Sequence, residues 1–319
     1  MRTKILSIDG GGIRGVIPAM VLAEIEQRTQ RPIAELFHLI AGTSTGGILA
    51  LGLTVPGPDG KPKYSAADLV GLYEAQGPKI FSRSVWHRIR SVGNVADEKY
   101  PAKGIEEVLQ EYFGTIRLKE ALTEVLITSY EIERRRPFFF RSQRARKDKD
   151  YDYDMTHVAR ATSAAPTYFE PLKEPLEGNN YYALVDGGVY ANNPAMCALV
   201  DVLSDQPGGV SLGDCLMVSL GTGQLTRSFL YDEAKDWGLI QWARPIMQIL
   251  FNGVSETVDY QMKQLLRARY YRFQTRLDIG NDDMDDASKT NLRALRLLAE
   301  DMIRQNDATL QALCAELVA

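Results

Sequence analysis

Twice near its start the chain interrupts an apolar run with glycines and then continues as a helix-like stretch. That repeated order of strand, loop and helix restricts it to an α/β fold. The first unit is Lys4 to Ile8, then Asp9-Gly10-Gly11-Gly12-Ile13-Arg14-Gly15, then Val16 to Arg28. The second is Phe37 to Ala41, then Gly42-Thr43-Ser44-Thr45-Gly46, then Gly47 to Leu53. Strand-like runs recur at Val125 to Glu131, Phe138 to Arg141, Tyr182 to Val185, Leu216 to Leu220 and Tyr270 to Gln274, with helix-like segments between them. From Lys289 to Val318 the chain reads as one helix, with Leu292, Leu295, Leu298, Ala299 and Met302 on one face. An open sheet covered by helices on both faces is expected. With 319 residues, 45% of them hydrophobic, the chain can bury a large core. No linker or repeat divides it, and Val55 to Pro62 is only a short turn cluster, so one domain over residues 1–319 is expected.

The two loops carry chemistry. Gly42-Thr43-Ser44-Thr45-Gly46 has the Gly-x-Ser-x-Gly form in which a sharp turn holds a serine oxygen out at its tip, so Ser44 is the candidate nucleophile. A glycine-rich turn with a hydroxyl cap is the competing reading. In the first loop, glycines let successive N–H groups face a common space, and the following helix start adds positive potential. Gly10, Gly11 and Gly12 are therefore expected to form an oxyanion hole, with Thr45 adding a donor. Gly10-x-Gly12-x-x-Gly15 also fits a dinucleotide fingerprint. Against that, Asp9 stands where a pyrophosphate would arrive, and Gln30-Arg31-Pro32 interrupts the region about 20 residues on where an acidic strand end is needed. Further along, Tyr182-Ala183-Leu184-Val185-Asp186-Gly187-Gly188 puts a carboxylate at the end of a strand; alone, Asp-Gly-Gly is a turn signal.

Together, the glycine loop, the serine elbow and the downstream Asp-Gly-Gly resemble the patatin-like phospholipase family. The resemblance extends through Leu122-Thr123-Glu124-Val125, Ala164-Ala165-Pro166-Thr167-Tyr168-Phe169, Ser219-Leu220-Gly221-Thr222-Gly223 and Met284-Asp285-Asp286-Ala287-Ser288, and is similar to the plant branch from end to end. It departs at Gly188, where plant patatins usually have alanine, and in the basic connection after Glu133. The resemblance implies a three-layer α/β/α fold with a central, mostly parallel sheet. It implies that Ser44 and Asp186 form a catalytic dyad and that the glycine loop is the oxyanion hole of a serine lipid acyl hydrolase. The expected substrate is a membrane phospholipid or other acyl lipid, met by peripheral contact with the membrane. Two other readings follow: an effector phospholipase switched on by a partner or cyclic nucleotide, as in some bacterial relatives, or a noncatalytic lipid-binding module.

The histidines fit no triad. His38 precedes Ser44 within a strand, His87 follows Trp86 in an irregular stretch, and His157 sits in a helix-like run. None has the strand-end loop setting of a triad base. A carboxylate acting alone must then be made basic by burial, since its ordinary pKa is about 3.9. Arg14 is expected either to face a lipid phosphate or to brace the loop. No His, Cys and carboxylate cluster points to a metal or cofactor, and Asp282-Asp283-Met284-Asp285-Asp286 reads as an exposed acidic cap. The net charge of −4 argues against a nucleic-acid partner. Arg134-Arg135-Arg136, Arg141, Arg144, Arg146, Lys147 and Lys149 form a basic hairpin, either solvated or a contact for anionic head groups or an activating nucleotide. Phe229 to Leu250 reads either as a lid that opens at a lipid surface or as core. Cys197, Cys215 and Cys314 lack disulfide or metal spacing, and no signal peptide is evident before the first strand. The longest uncharged stretch, Leu39 to Val55, is too short to span a bilayer. A cytoplasmic protein, peripheral at membranes, is expected.

Overall fold

A computed structural model describes residues 2–80, 102–205, 209–226, 228–279 and 282–319; His87 lies outside the described residues. Its centre is a sheet of eight strands: β1 (Thr3–Ile8), β2 (Leu39–Gly42), β3 (Glu124–Glu131), β4 (Arg136–Arg141), β5 (Leu172–Pro175), β6 (Tyr181–Asp186), β7 (Cys215–Leu220) and β8 (Tyr270–Phe273). The strand order is β5-β6-β3-β2-β1-β7-β8, with β4 paired to β3. The pairs β1–β2, β1–β7, β2–β3 and β7–β8 are parallel. The pairs of β4 and β6 with β3, and of β5 with β6, are antiparallel.

The central strands are apolar on both faces because helices cover both. Alternate residues face opposite sides. Leu6, Ile40, Leu216 and Val218 join a cluster with the helices Val16–Thr29 and Lys289–Gln305. Ile5, Leu39, Ala41 and Met217 join another with the helices Ala195–Asp205 and Leu239–Leu266. The layers and the mostly parallel sheet agree with the expected α/β/α arrangement.

Two differences from the sequence reading have local causes. The C-terminal helix is two, Lys289–Gln305 and Asp307–Val318, because Asn306 breaks it: its side-chain amide donates to Met302 O at 2.8 Å, competing with the backbone ladder. Strand β5, Leu-Lys-Glu-Pro, was not anticipated, since it is an edge strand without an apolar alternation.

One register feature positions the site. Gly42, the last residue of β2, pairs with Ile127 of β3, and β3 continues past it to Glu131. Along that overhang, on the edge β2 has vacated, β6 returns antiparallel until Asp186 pairs with Ser129. The carboxyl ends of β2 and β6 thus meet head to head, and the residues that follow them share one space.

On the other side of β1, Arg272 of β8 forks onto Asp9, with Nη2–Oδ2 at 2.7 Å and Nη1–Oδ1 at 3.1 Å, while Nη1 also donates to Ser219 Oγ at 2.8 Å. Both partners are buried. Burial pushes the Asp9 carboxyl above its ordinary range, and the guanidinium opposes that shift. Removing one partner of such a pair costs about 3–5 kcal/mol, because the other charge stays buried. Urea unfolding of Arg272→Met is expected to show a loss of that order, and adding Asp9→Asn to it is expected to restore most of the stability. An Arg272→Met protein as stable as wild type would remove the pair from its anchoring role.

Candidate active site

Ser44 lies in the turn between β2 and the helix Thr45–Gly52 with φ 55° and ψ −124°, a left-handed conformation that costs a non-glycine residue on the order of 1–3 kcal/mol. Hydrogen bonds hold it there. The Ser44 N–H donates to Thr162 Oγ1 at 2.8 Å, and the Thr162 hydroxyl donates to Thr128 O at 2.7 Å. The flanking glycines are required by close approach: a Cβ on Gly46 would stand 2.2 Å from Ile8 O, and one on Gly42 2.2 Å from Gly46 O. The Gly-x-Ser-x-Gly spacing therefore lets the helix start press against the end of β1.

Asp186 ends β6 and is 2% exposed. The Ser44 side chain shares the cleft with this carboxylate and favours its charged form. The Gly188 N–H donates to Oδ1 at 2.7 Å, and the Asp186 N–H donates to Ala164 O at 3.0 Å. Burial pushes the carboxyl up to about 7, against the Ser44 side chain and the Gly188 amide, which favour its charged form. The segment Thr162 to Ala164 thus ties down both residues, through Thr162 on Ser44 and Ala164 on Asp186.

The glycine loop supplies donors, with one change from the sequence reading. The Gly10 N–H is engaged, donating to Asn192 O at 2.9 Å. Among the described residues no acceptor takes the N–H of Gly11, Gly12 or Thr45, and these three line a cleft of about 710 Å³ together with Ser44 and Asp186. The rest of the cleft is largely apolar, with Ile13, Ile48, Leu72, Ile80, Ile105 and Phe251. Its apolar lining has the character for an acyl chain, with Ser44 and Asp186 among the few polar groups that face it. A dinucleotide cradle is not open here, because the Ile13 N–H is also taken, by Met284 O at 2.8 Å.

Arg14 does not line this cleft. It is buried behind the loop, its Nε donating to Gly11 O at 3.2 Å, and it lines a separate polar cavity of about 440 Å³ with Asp9 and Gln274. Burial lowers it to about 10, and Asp282 and Asp283 partly offset that. Of its two expected roles the placement fits the brace. Asp282 to Asp286 is likewise no exposed cap: Asp285 is buried, and Met284 packs its carbonyl against the loop, where a Cβ on Gly12 would stand 2.1 Å from Met284 O. The Met284 carbonyl seats the acidic segment against the loop as the acceptor of the Ile13 N–H.

The described histidines lie elsewhere. His38 Nδ1 accepts the Lys4 N–H at 3.0 Å, and His157 Nδ1 stands 3.0 Å from Glu174 Oε2; neither lines the cleft. Within the basic hairpin Arg134 pairs with Glu131, Arg141 with Asp201 and Arg146 with Glu124, and Arg144 stacks on Tyr151, while Arg135, Arg136, Lys147 and Lys149 are exposed. Among the described residues no group of His, Cys, Asp and Glu is arranged to hold a metal ion, and no helix is long and apolar enough to cross a membrane.

Four site residues escaped the sequence reading: Thr128, Thr162, Ser163 and Asn192. Ser163 lines the cleft with a buried Oγ that has no partner among the described residues. Their only sequence signal is position, since Thr162 and Ser163 precede Ala164-Ala165-Pro166 and Asn192 follows Asp186 closely.

The profile of the patatin-like phospholipase family matches residues 6–199. Patatin-like protein 2 of Arabidopsis thaliana is 33% identical over 94% of this chain and 83% of its own length. Patatin-T5 of Solanum tuberosum is 32% identical over 95% and 84%. A further Solanum tuberosum relative, 32% identical over 95% and 86%, is named probable inactive patatin-3-Kuras 1. Among solved structures, VipD from Legionella pneumophila superposes with a TM-score of 0.35 at 12% identity, covering 94% of this chain and 67% of that one, which is too distant to inform the site. With the family profile spanning most of the chain and relatives of this identity along nearly all of it, the chain belongs to the patatin-like phospholipase family.

Proposed function

We propose that the chain is a single-domain serine lipid acyl hydrolase of phospholipase A type, with Ser44 as nucleophile and Asp186 as its base. One observation carries the reading: a buried carboxyl with a pKa near 7 shares an apolar cleft with a serine held in a strained elbow. An ordinary carboxylate is too weak a base for a serine hydroxyl, and one poised near 7 is much better matched to the task at neutral pH.

As Ser44 Oγ attacks the ester carbonyl carbon, Asp186 takes its proton and the carbonyl oxygen becomes an oxyanion beside the Gly11, Gly12 and Thr45 amides. Collapse breaks the bond to the leaving alcohol, which receives the proton from Asp186. Water then attacks the acyl-enzyme, giving its proton to Asp186, and that proton returns to Oγ as the acyl carbon releases it. The lipid acid departs and the dyad is restored. Lipid esters reach such a cleft from a membrane or micelle, so peripheral contact with lipid belongs to the proposal.

Because the two residues act as a unit, Ser44→Ala and Asp186→Asn are each expected to lower kcat/KM on a soluble ester by about 10⁴-fold or more, and the double variant little further. Multiplying losses would separate them. Failure of a fluorophosphonate to label Ser44 in the folded protein would support a noncatalytic lipid-binding module, an outcome made relevant by the relative named inactive.

The base must be ionised to work, so kcat/KM is expected to rise about tenfold per pH unit below about 7 and level off above it. Stability runs the other way. The folded carboxyl keeps its proton to about 7, whereas an unfolded one releases it near about 4. Its contribution is therefore full below about 4 and lost as pH rises through the folded value. Melting curves of Asp186→Asn and wild type are expected to shift in favour of the variant between about pH 4 and 7, and parallel curves would contradict the raised pKa.

Gly12 has φ +59°, and its Cβ would meet Met284 O, so Gly12→Ala displaces the amide donors. Turnover is expected to fall by about 10²-fold or more with KM for a soluble ester little changed. Intact turnover in the folded variant would take the loop out of the mechanism.

A further inference from the structure

The helix Leu239–Leu266 buries one face mainly along its second half and exposes an apolar stripe on the opposite face of its first half. Phe251, Ser255, Val258 and Met262 are buried on one face. At about 100° per residue, Leu239, Trp242, Ile246, Ile249 and Leu250 gather on the other. Leu239 is 92% exposed, and Ile246, Ile249 and Leu250 are each more than 40% exposed. Trp242 stacks edge-on against Trp237 at 5.1 Å, and Trp237 against Phe229 at 5.5 Å, so an aromatic cluster flanks the stripe. Leu230 and Tyr231 beside it are exposed as well. Beyond Gly253 the exposed positions turn mainly polar, with Glu256, Thr257, Lys263 and Gln264.

A contiguous outward apolar surface on one half of a helix needs a partner. Its position and charge say which. Leu250 ends the stripe, and the next residue, Phe251, lines the cleft with Ser44, so one short segment is both cleft wall and apolar exterior. That is the continuity an acyl chain needs to pass from a lipid layer to the nucleophile without crossing a polar rim. Between residues 227 and 253, Arg227, Lys235 and Arg244 balance Asp232, Glu233 and Asp236 in the sequence. The segment therefore offers no electrostatic attraction to anionic lipid, and the arginines of the basic hairpin named above as paired are held within the chain. Tryptophan and tyrosine beside aliphatic residues are the composition that favours the boundary between water and hydrocarbon.

We propose that the exposed face of Leu239 to Leu250, with Phe229, Trp237 and Trp242, inserts into a neutral or zwitterionic lipid surface and sets the cleft against it. The inference rests on the lipid acyl hydrolase reading for its purpose and deepens it by assigning the docking surface and the lipid chemistry. It rests on hydrophobic insertion, so its salt dependence is small.

The test uses the full chain with phosphatidylcholine vesicles. Two of the three tryptophans, Trp237 and Trp242, belong to the surface, so vesicles are expected to shift tryptophan emission to the blue, and lipids brominated on the acyl chains to quench it. Binding by co-sedimentation is expected to persist between about 50 and 500 mM salt. In Leu239→Asp/Ile246→Asp/Ile249→Asp, binding and vesicle-lipid hydrolysis are expected to fall together by about tenfold or more, with hydrolysis of a soluble short-chain ester unchanged. The retained soluble activity certifies the fold, and the quenching needs no variant. Undiminished vesicle binding by the triple variant would overturn the proposal. So would binding that requires anionic lipid and disappears in salt, or a lipid-free dimer that the substitutions dissociate, which would assign the face to a second copy. Wild-type protein that binds and is quenched but hydrolyses neither substrate would uphold the docking surface and overturn the hydrolase reading.

Discussion

The site depends on β3 being longer than β2. Strand β2 has four residues and β3 has eight. The unpaired half of β3 gives β6 an edge on which to return, and the return ends two positions short of Gly42's partner, Asp186 opposite Ser129 and Gly42 opposite Ile127. At about 3.3 Å per residue, that leaves the strand ends about 7 Å apart, a gap that the side chains of Ser44 and Asp186 close. Thr128 occupies it from the β3 side. Its hydroxyl meets Thr43 Oγ1 at 2.7 Å, its carbonyl accepts from Thr162, and Gly187 passes so close that a Cβ there would stand 2.1 Å from Thr128 Oγ1. A longer β2 would occupy the edge that brings the carboxylate back.

Two unfavourable terms accompany this arrangement, the strained elbow and the buried carboxyl. Each is held by a neighbour rather than by its own sequence preference. Packing of Gly46 on Ile8 and the Thr162 bond impose the Ser44 conformation, and the end-on approach of β6 buries Asp186 at the cleft wall. The dense core on both faces of the sheet offsets these terms. The same burial that costs stability as pH rises makes the carboxylate a base near neutrality.

Much of this was legible in the sequence, because strand ends followed by glycines report local geometry. Seven of the eight strands were visible as apolar runs, and Ser44, Asp186 and the glycine loop stand where the motifs put them. What was hidden depends on contacts between distant segments. The engagement of the Gly10 amide needs Asn192, which reaches it from the turn after β6. The burial of Asp285 and the seating of Met284 on the loop are invisible in a run of four aspartates, whose composition reads as solvent-facing. Arg14 sits in the loop by sequence, but whether its side chain points into the cleft or behind it is decided by packing.

The placement of Arg14 bears directly on the chemistry. Burial, the Ser44 side chain and the Gly188 amide shift the Asp186 carboxyl; no charged neighbour contributes. A guanidinium in the same apolar cleft would favour the ionised carboxylate strongly and pull its pKa back toward the ordinary range or below it. The carboxylate would then hold its charge at neutral pH but would no longer accept a proton from serine readily. Turning Arg14 behind the loop, with its Nε on Gly11 O, lets the cation stiffen the loop of the proposed oxyanion hole while keeping its field away from the Asp186 carboxyl. The proposed dyad needs that separation, because a carboxylate acting as the base without histidine has no second group to restore the basicity a nearby cation would remove.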